Sequence, residues 1–124
     1  LDKMEANLPR KTIEMRYELM NDLSSLYNSA GAKEQAAEIT SELEPIMLKK
    51  IEENPRDFQR QYNPYVVLRD IYESREDYTK LVELFSGLQK EIPDDPNVKS
   101  LIQRYKAMAD QKALQRIPSD TTKN

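Results

Sequence analysis

Apolar residues recur every three or four positions along nearly the whole chain, and nowhere do they alternate strictly. That period matches the 3.6-residue turn of an α-helix and is incompatible with a half-buried strand. Ile13, Tyr17, Met20, Leu23 and Tyr27 form the first series, which Leu19, Leu26 and Ala30 broaden. Gly31 follows as a left-handed C-terminal stop. A second helix is predicted over 33–53, with Ala36, Ile39, Leu43, Met47 and Ile51 inward. Pro45 lies inside it and removes one amide donor, so a kink near 39–44 or a short break is expected. Asn54-Pro55 ends that helix, and 56–62 form a polar connector anchored by Phe58 and Tyr62.

The second half is punctuated more sharply. Asn63-Pro64 reads as an N-cap followed by the first helical residue. Tyr65, Leu68, Ile71 and Tyr72 make the inward face of a third helix ending near 74–76. A fourth helix runs from Asp77 to about Glu91 on Tyr78, Leu81, Leu84, Phe85 and Leu88. After the break 92–96, Asp95 and Pro96 are N-cap and first residue of a fifth helix over about 97–114, with Val98, Leu101, Ile102, Tyr105 and Met108 inward. Residues 115–124 lack an apolar period and are expected to be a disordered tail, leaving 1–114 as one helical domain. The fold class is therefore all-α: five helices, arranged either as a bundle or as stacked hairpins.

Composition removes most chemistry. The 124 residues include no Cys and no His, so disulfides, thiolate metal sites, a cysteine nucleophile and the commonest general base are all absent. Two glycines do not make a Gly-rich phosphate loop. Glu34, Glu38 and Glu42 are spaced one helical turn apart, but a di-iron bundle also needs His. Asp94-Asp95 lacks the oxygen density and the turn Gly of a calcium loop. Ser24, Ser25, Ser29, Ser74 and Ser86 have no His to activate them, and Ser86-Gly87 reads as a close-packing spot within a helix. No catalytic residue, metal or cofactor is expected.

Charge and hydropathy narrow the partners. Nineteen basic residues against 22 acidic give a net charge of −3, which does not suggest nucleic acid. No apolar run nears the ~18 residues of a membrane span, so no insertion of this segment is expected. The chain opens on Leu1 without a signal-peptide pattern and reads as part of a longer protein, which leaves the compartment undetermined. Residues 70–95 carry eight acids and three bases, and 97–124 carry six bases and two acids. The expected cause is an attraction between helices plus a solubilising tail; the alternative is a basic partner on the acidic hairpin or a membrane surface near the tail.

Residues 63–96 span 34 positions, one helix-turn-helix unit closed by Pro93. With Tyr65, Leu68, Tyr72, Asp77-Tyr78, Phe85 and Pro93 in place, this unit resembles the tetratricopeptide family, whose period is 34. It departs from the family at Arg69, at Leu81 and Leu88 where small residues are usual, and at Glu76 where the turn usually has Gly. Glu76 is expected to avoid the conformation that Gly permits. Met20, Leu23, Ser24, Tyr27, Gly31, Ala36, Thr40 and Leu43 resemble an earlier copy, its turn 45 residues upstream. Val98, Leu101 and Tyr105 resemble a closing half-copy.

The resemblance implies two hairpins plus a C-terminal capping helix in a right-handed superhelix, and a concave groove that takes a peptide or a neighbouring domain. Carried over by position, that groove is lined by Asn21, Ser25 and Asn28, by Val66, Asp70 and Glu73, and by Lys99, Gln103 and Lys106. Asn21 and Ser25 stand where some members use a Lys and Asn clamp for a C-terminal carboxylate, so binding of chaperone tails is not expected. A second resemblance rests on 4–10, on Ala30-Gly31-Ala32 and on Asn63-Pro64-Tyr65. It is to the soluble C-terminal tails of bacterial multi-span membrane proteins related to protein O-mannosyltransferases, and it implies an accessory, extramembrane domain acting in cis. The expected function is a non-catalytic interaction module with a protein or peptide partner.

Overall fold

The computed structural model describes residues 10–60 and 63–115, with the side chains of 10–12 and 14 excepted. Tyr62, the tail beyond residue 115 and the 4–9 part of the opening segment lie outside the described residues. Five α-helices are present: α1 (Arg10–Ser29), α2 (Lys33–Glu53), α3 (Pro64–Ser74), α4 (Tyr78–Glu91) and α5 (Pro96–Gln115). The chain divides into two compact units, Leu1–Leu68 and Arg69–Asn124, with the boundary inside α3.

In the first unit α1 packs on α2. The connection is a Schellman turn: Gly31 has φ +82°, its N–H donates to the Asn28 carbonyl at 3.2 Å, and the Ala32 N–H reaches back to Tyr27 at 2.8 Å. On α2, Ala36, Thr40, Leu43 and Met47 are buried, while Ile39 and Ile51 are half-buried. The helix stays continuous through Pro45, so of the two expected alternatives, a kink or a short break, the break does not occur.

α1 packs differently from its expected orientation. Tyr17 is buried and Ile13, Met20 and Tyr27 are half-buried, but Leu23 is exposed while Asn21 and Ser24 are buried. The physical reason lies in side-chain size. Asn21 and Ser24 of α1 and Ala36 and Thr40 of α2 are all small and all buried, and short side chains suit a close approach of two packed helices. Burial of these hydroxyls is tolerated because each donates to its own helix, Ser24 to the Asn21 carbonyl (2.8 Å) and Thr40 to Ala37 (3.3 Å). Among the described residues no buried side-chain nitrogen or oxygen lacks a hydrogen-bond partner. Lys50 sits 5.3 Å from the centre of the Tyr17 ring.

The connector is pinned by one side chain. Asn63 is buried; its Oδ1 accepts from the Val66 N–H (3.0 Å), and its Nδ2 donates to the carbonyls of Phe58 (3.0 Å) and Arg60 (2.7 Å). The same amide therefore caps α3, as the sequence suggests, and folds the connector onto it. The Tyr65 hydroxyl adds a bond to the Pro55 carbonyl at 2.6 Å. Phe58 is half-buried, consistent with an anchor.

In the second unit α4 packs on α5. Leu81, Phe85 and Leu88 of α4, Val98, Ile102 and Tyr105 of α5, and Ile71 and Tyr72 of α3 are all buried. The Tyr105 ring stacks between Tyr78 (6.4 Å) and Phe85 (5.9 Å). Asp77 caps α4 through the Lys80 N–H, and Asp95 caps α5 through the N–H groups of Asn97 and Val98.

Two local expectations are corrected here. Glu76 does take the left-handed conformation, with φ +53°. Its N–H donates to Glu73 (3.1 Å), the Asp77 N–H to Tyr72 (2.9 Å), and Lys112 Nζ binds the Glu76 carbonyl at 2.6 Å. The turn's own hydrogen bonds impose this geometry on a residue that has a Cβ. Gly87 is no close-packing spot: it is exposed, and a Cβ there would meet nothing within 4 Å.

Candidate interaction surface

The nine residues expected to line a groove are distributed over both units. In the first, Ser25 is exposed and Asn28 and Val66 are half-buried. Asn21 is a correction: with 4% of its surface accessible, it is turned into the α1–α2 hairpin and offers nothing to a ligand. In the second, Lys99, Gln103 and Lys106 are exposed on α5, and Asp70 and Glu73 are half-buried on α3.

Glu73 already has a structural task. Its Oε2 accepts the Tyr105 hydroxyl at 2.8 Å and so ties the end of α3 to α5. Burial first, then the hydrogen bond to Glu73 and that carboxylate's charge, together push the Tyr105 phenol up to about 12, against a lowering by Arg69 and Arg104. The phenol therefore stays protonated and donating throughout the physiological range.

Beside this tie lies an open polar cleft of about 350 Å³, lined by Arg75, Asp77, Tyr78, Thr79 and Lys112 among others. The alanines 109 and 113 leave the space. Both signs of charge line it, and Lys112 is engaged with the Glu76 carbonyl. Among the described residues no cluster of acidic side chains could hold a metal ion, and no helix is long and apolar enough to cross a membrane.

The surface that sequence reasoning missed is on α1. Because Tyr17, Asn21 and Ser24 face α2, helical geometry turns the opposite side outward. That side carries Met15 (53% exposed), Leu19 (64%), Leu23 (44%) and Leu26 (66%). Met15, Leu19, Met20 and Leu23, with Arg16 at the rim, line a shallow apolar trough of about 370 Å³. Scattered exposed leucines are ordinary, but four large apolar side chains in one line along a helix are a contiguous patch. Its signal was in the sequence: Leu19 and Leu26 make the apolar arc of this helix wider than one neighbouring helix can cover.

No protein-family model, curated protein or solved structure gives a significant match to this chain.

Proposed function

We propose that this chain is a non-catalytic protein-interaction module of tetratricopeptide-like helical hairpins, which docks a partner on its exposed apolar helix face. The observation that carries this reading is the outward line of Met15, Leu19, Leu23 and Leu26 on α1. Keeping such a line in water forgoes roughly 25 cal/mol for every Å² of apolar surface that a partner would cover. The repeat-like reading has separate support. The turns at Gly31 and Glu76 close helical pairs with the same two backbone hydrogen bonds and the same left-handed residue. The polar positions Ser25, Asn28, Asp70, Lys99, Gln103 and Lys106, with Val66 as an apolar spot, are kept as candidate contacts. Asn21 and Glu73 are not, since each is committed to the fold.

The test uses a photo-crosslinking side chain at position 19, 26 or 104, with a synthetic 18-residue helical peptide bearing one leucine stripe. Leu19, Leu26 and Arg104 are all exposed, so each site tolerates the probe. Adducts formed from 19 and 26 and not from 104 are expected. Equal capture from all three positions, or none, overturns the proposal.

A further inference from the structure

We infer that the occupant of the α1 face is an amphipathic helix of another protein, whose edge opposite Glu18 and Asp22 carries lysine or arginine; this rests on the docking reading above. The argument is one of charge. At 100° per residue, Met15, Leu19, Leu23 and Leu26 share one side of α1. Glu18 and Asp22 follow one edge of that stripe, Asp22 exposed and Glu18 half-buried, and Arg16 stands on the other. Glu18 and Asp22 are four residues apart, so their like charges repel along the helix surface. A basic edge laid against them would turn that repulsion into attraction, and an acid opposite Arg16 would complete the match.

The same charges argue against a second copy of this chain. An antiparallel self-pair that seats Leu19 on Leu23 brings the two Asp22 side chains together beside the two-fold axis. A parallel self-pair turns each acidic edge toward the other copy's Arg16 edge and offers one base to two acids. The antiparallel pair joins like charges and the parallel pair leaves an acid of each edge unmatched, whereas a basic partner edge meets both acids.

The experiment titrates the full chain with three 18-residue leucine-striped helical peptides that differ only in edge residues: lysine, glutamine or glutamate. Fluorescence anisotropy reads affinity, and sedimentation velocity reads self-association. The lysine edge is expected to bind about tenfold tighter than the glutamate edge, for two rim pairs that change sign. Glu18→Lys with Asp22→Lys is expected to invert the order. Glu83→Lys with Asp94→Lys changes net charge equally on the second unit and is expected to preserve it. Equal affinity for all three edges overturns this inference while leaving apolar docking intact. Inversion by the Glu83 and Asp94 pair also overturns it, because net charge then suffices. A dimer abolished by Leu19→Glu would assign the face to a second copy. Binding of no peptide removes both this inference and the docking reading.

Discussion

The two Schellman turns make a matched experiment, since they hold the same geometry with opposite residues. At Glu76 a side chain sits at φ +53°, where an L-residue with a Cβ is disfavoured by roughly 1–2 kcal/mol. Glu76→Gly removes that strain, but glycine gains freedom in the unfolded chain and returns about 0.4–1 kcal/mol. The net expectation is a stabilisation of about 0.5–1 kcal/mol, or about 3 °C in Tm for a chain of this size. Gly31→Ala runs the argument backwards. Its φ is +82° and a Cβ would touch nothing within 4 Å, so no clash contributes and the loss is conformational, about 1 kcal/mol. Glu76→Ala is the control: it keeps the Cβ and discards the carboxylate, and should stay within about 0.5 kcal/mol of the parent. Urea unfolding followed by circular dichroism measures all three. If Glu76→Ala stabilises as much as Glu76→Gly, the carboxylate was the source and the strain argument fails.

Three further outcomes are expected. Asn63→Ala should cost about 2 kcal/mol or more, since the α3 cap and two carbonyl bonds go together, and Asn63→Asp should cost at least as much, because it keeps the cap but turns a buried carboxylate oxygen onto the Phe58 and Arg60 carbonyl oxygens; the same urea titration ranks them. Stability should fall between pH 10 and about 12, because the Tyr105 phenol holds its proton longer folded than unfolded; that contribution is complete below pH 10 and disappears as the folded phenol ionises. Tyr105→Phe should flatten this stretch of the pH profile and remove the tyrosine absorbing last at 295 nm, and an unchanged profile would refute the raised Tyr105 phenol as its cause. Leu43→Ala, in a fully buried position, should cost about 2–5 kcal/mol, while Leu19→Ala with Leu26→Ala should shift stability by under about 1 kcal/mol; a larger loss from the surface pair would mean those leucines are covered in the isolated chain.

Much of this architecture was written locally. Asn63-Pro64, Asp77 and Asp95-Pro96 start α3, α4 and α5 as their cap chemistry requires, and Gly31 ends α1 in the only conformation its turn uses freely. Those signals act within four or five residues, so they survive in one dimension. The inward faces of α4 and α5 were equally legible. Leu81, Phe85 and Leu88, and Val98, Ile102 and Tyr105, are buried as expected, while Tyr78, Leu84, Leu101 and Met108 at the margins of the same arcs are half-buried.

α1 and Glu76 were not legible, for different reasons. α1 carries an apolar side and a small polar side, and both can be packed. The sequence determined that it is a helix, and only the tertiary structure decided which side is buried, because that choice depends on the surface α2 presents to it. Glu76 has an unfavourable intrinsic preference that the turn's hydrogen bonds and Lys112, 36 residues away, override. Local propensity and periodicity are properties of neighbours in the chain. The fit between two surfaces, and hence the leucine face left outside, belongs to residues that meet only when the chain has folded.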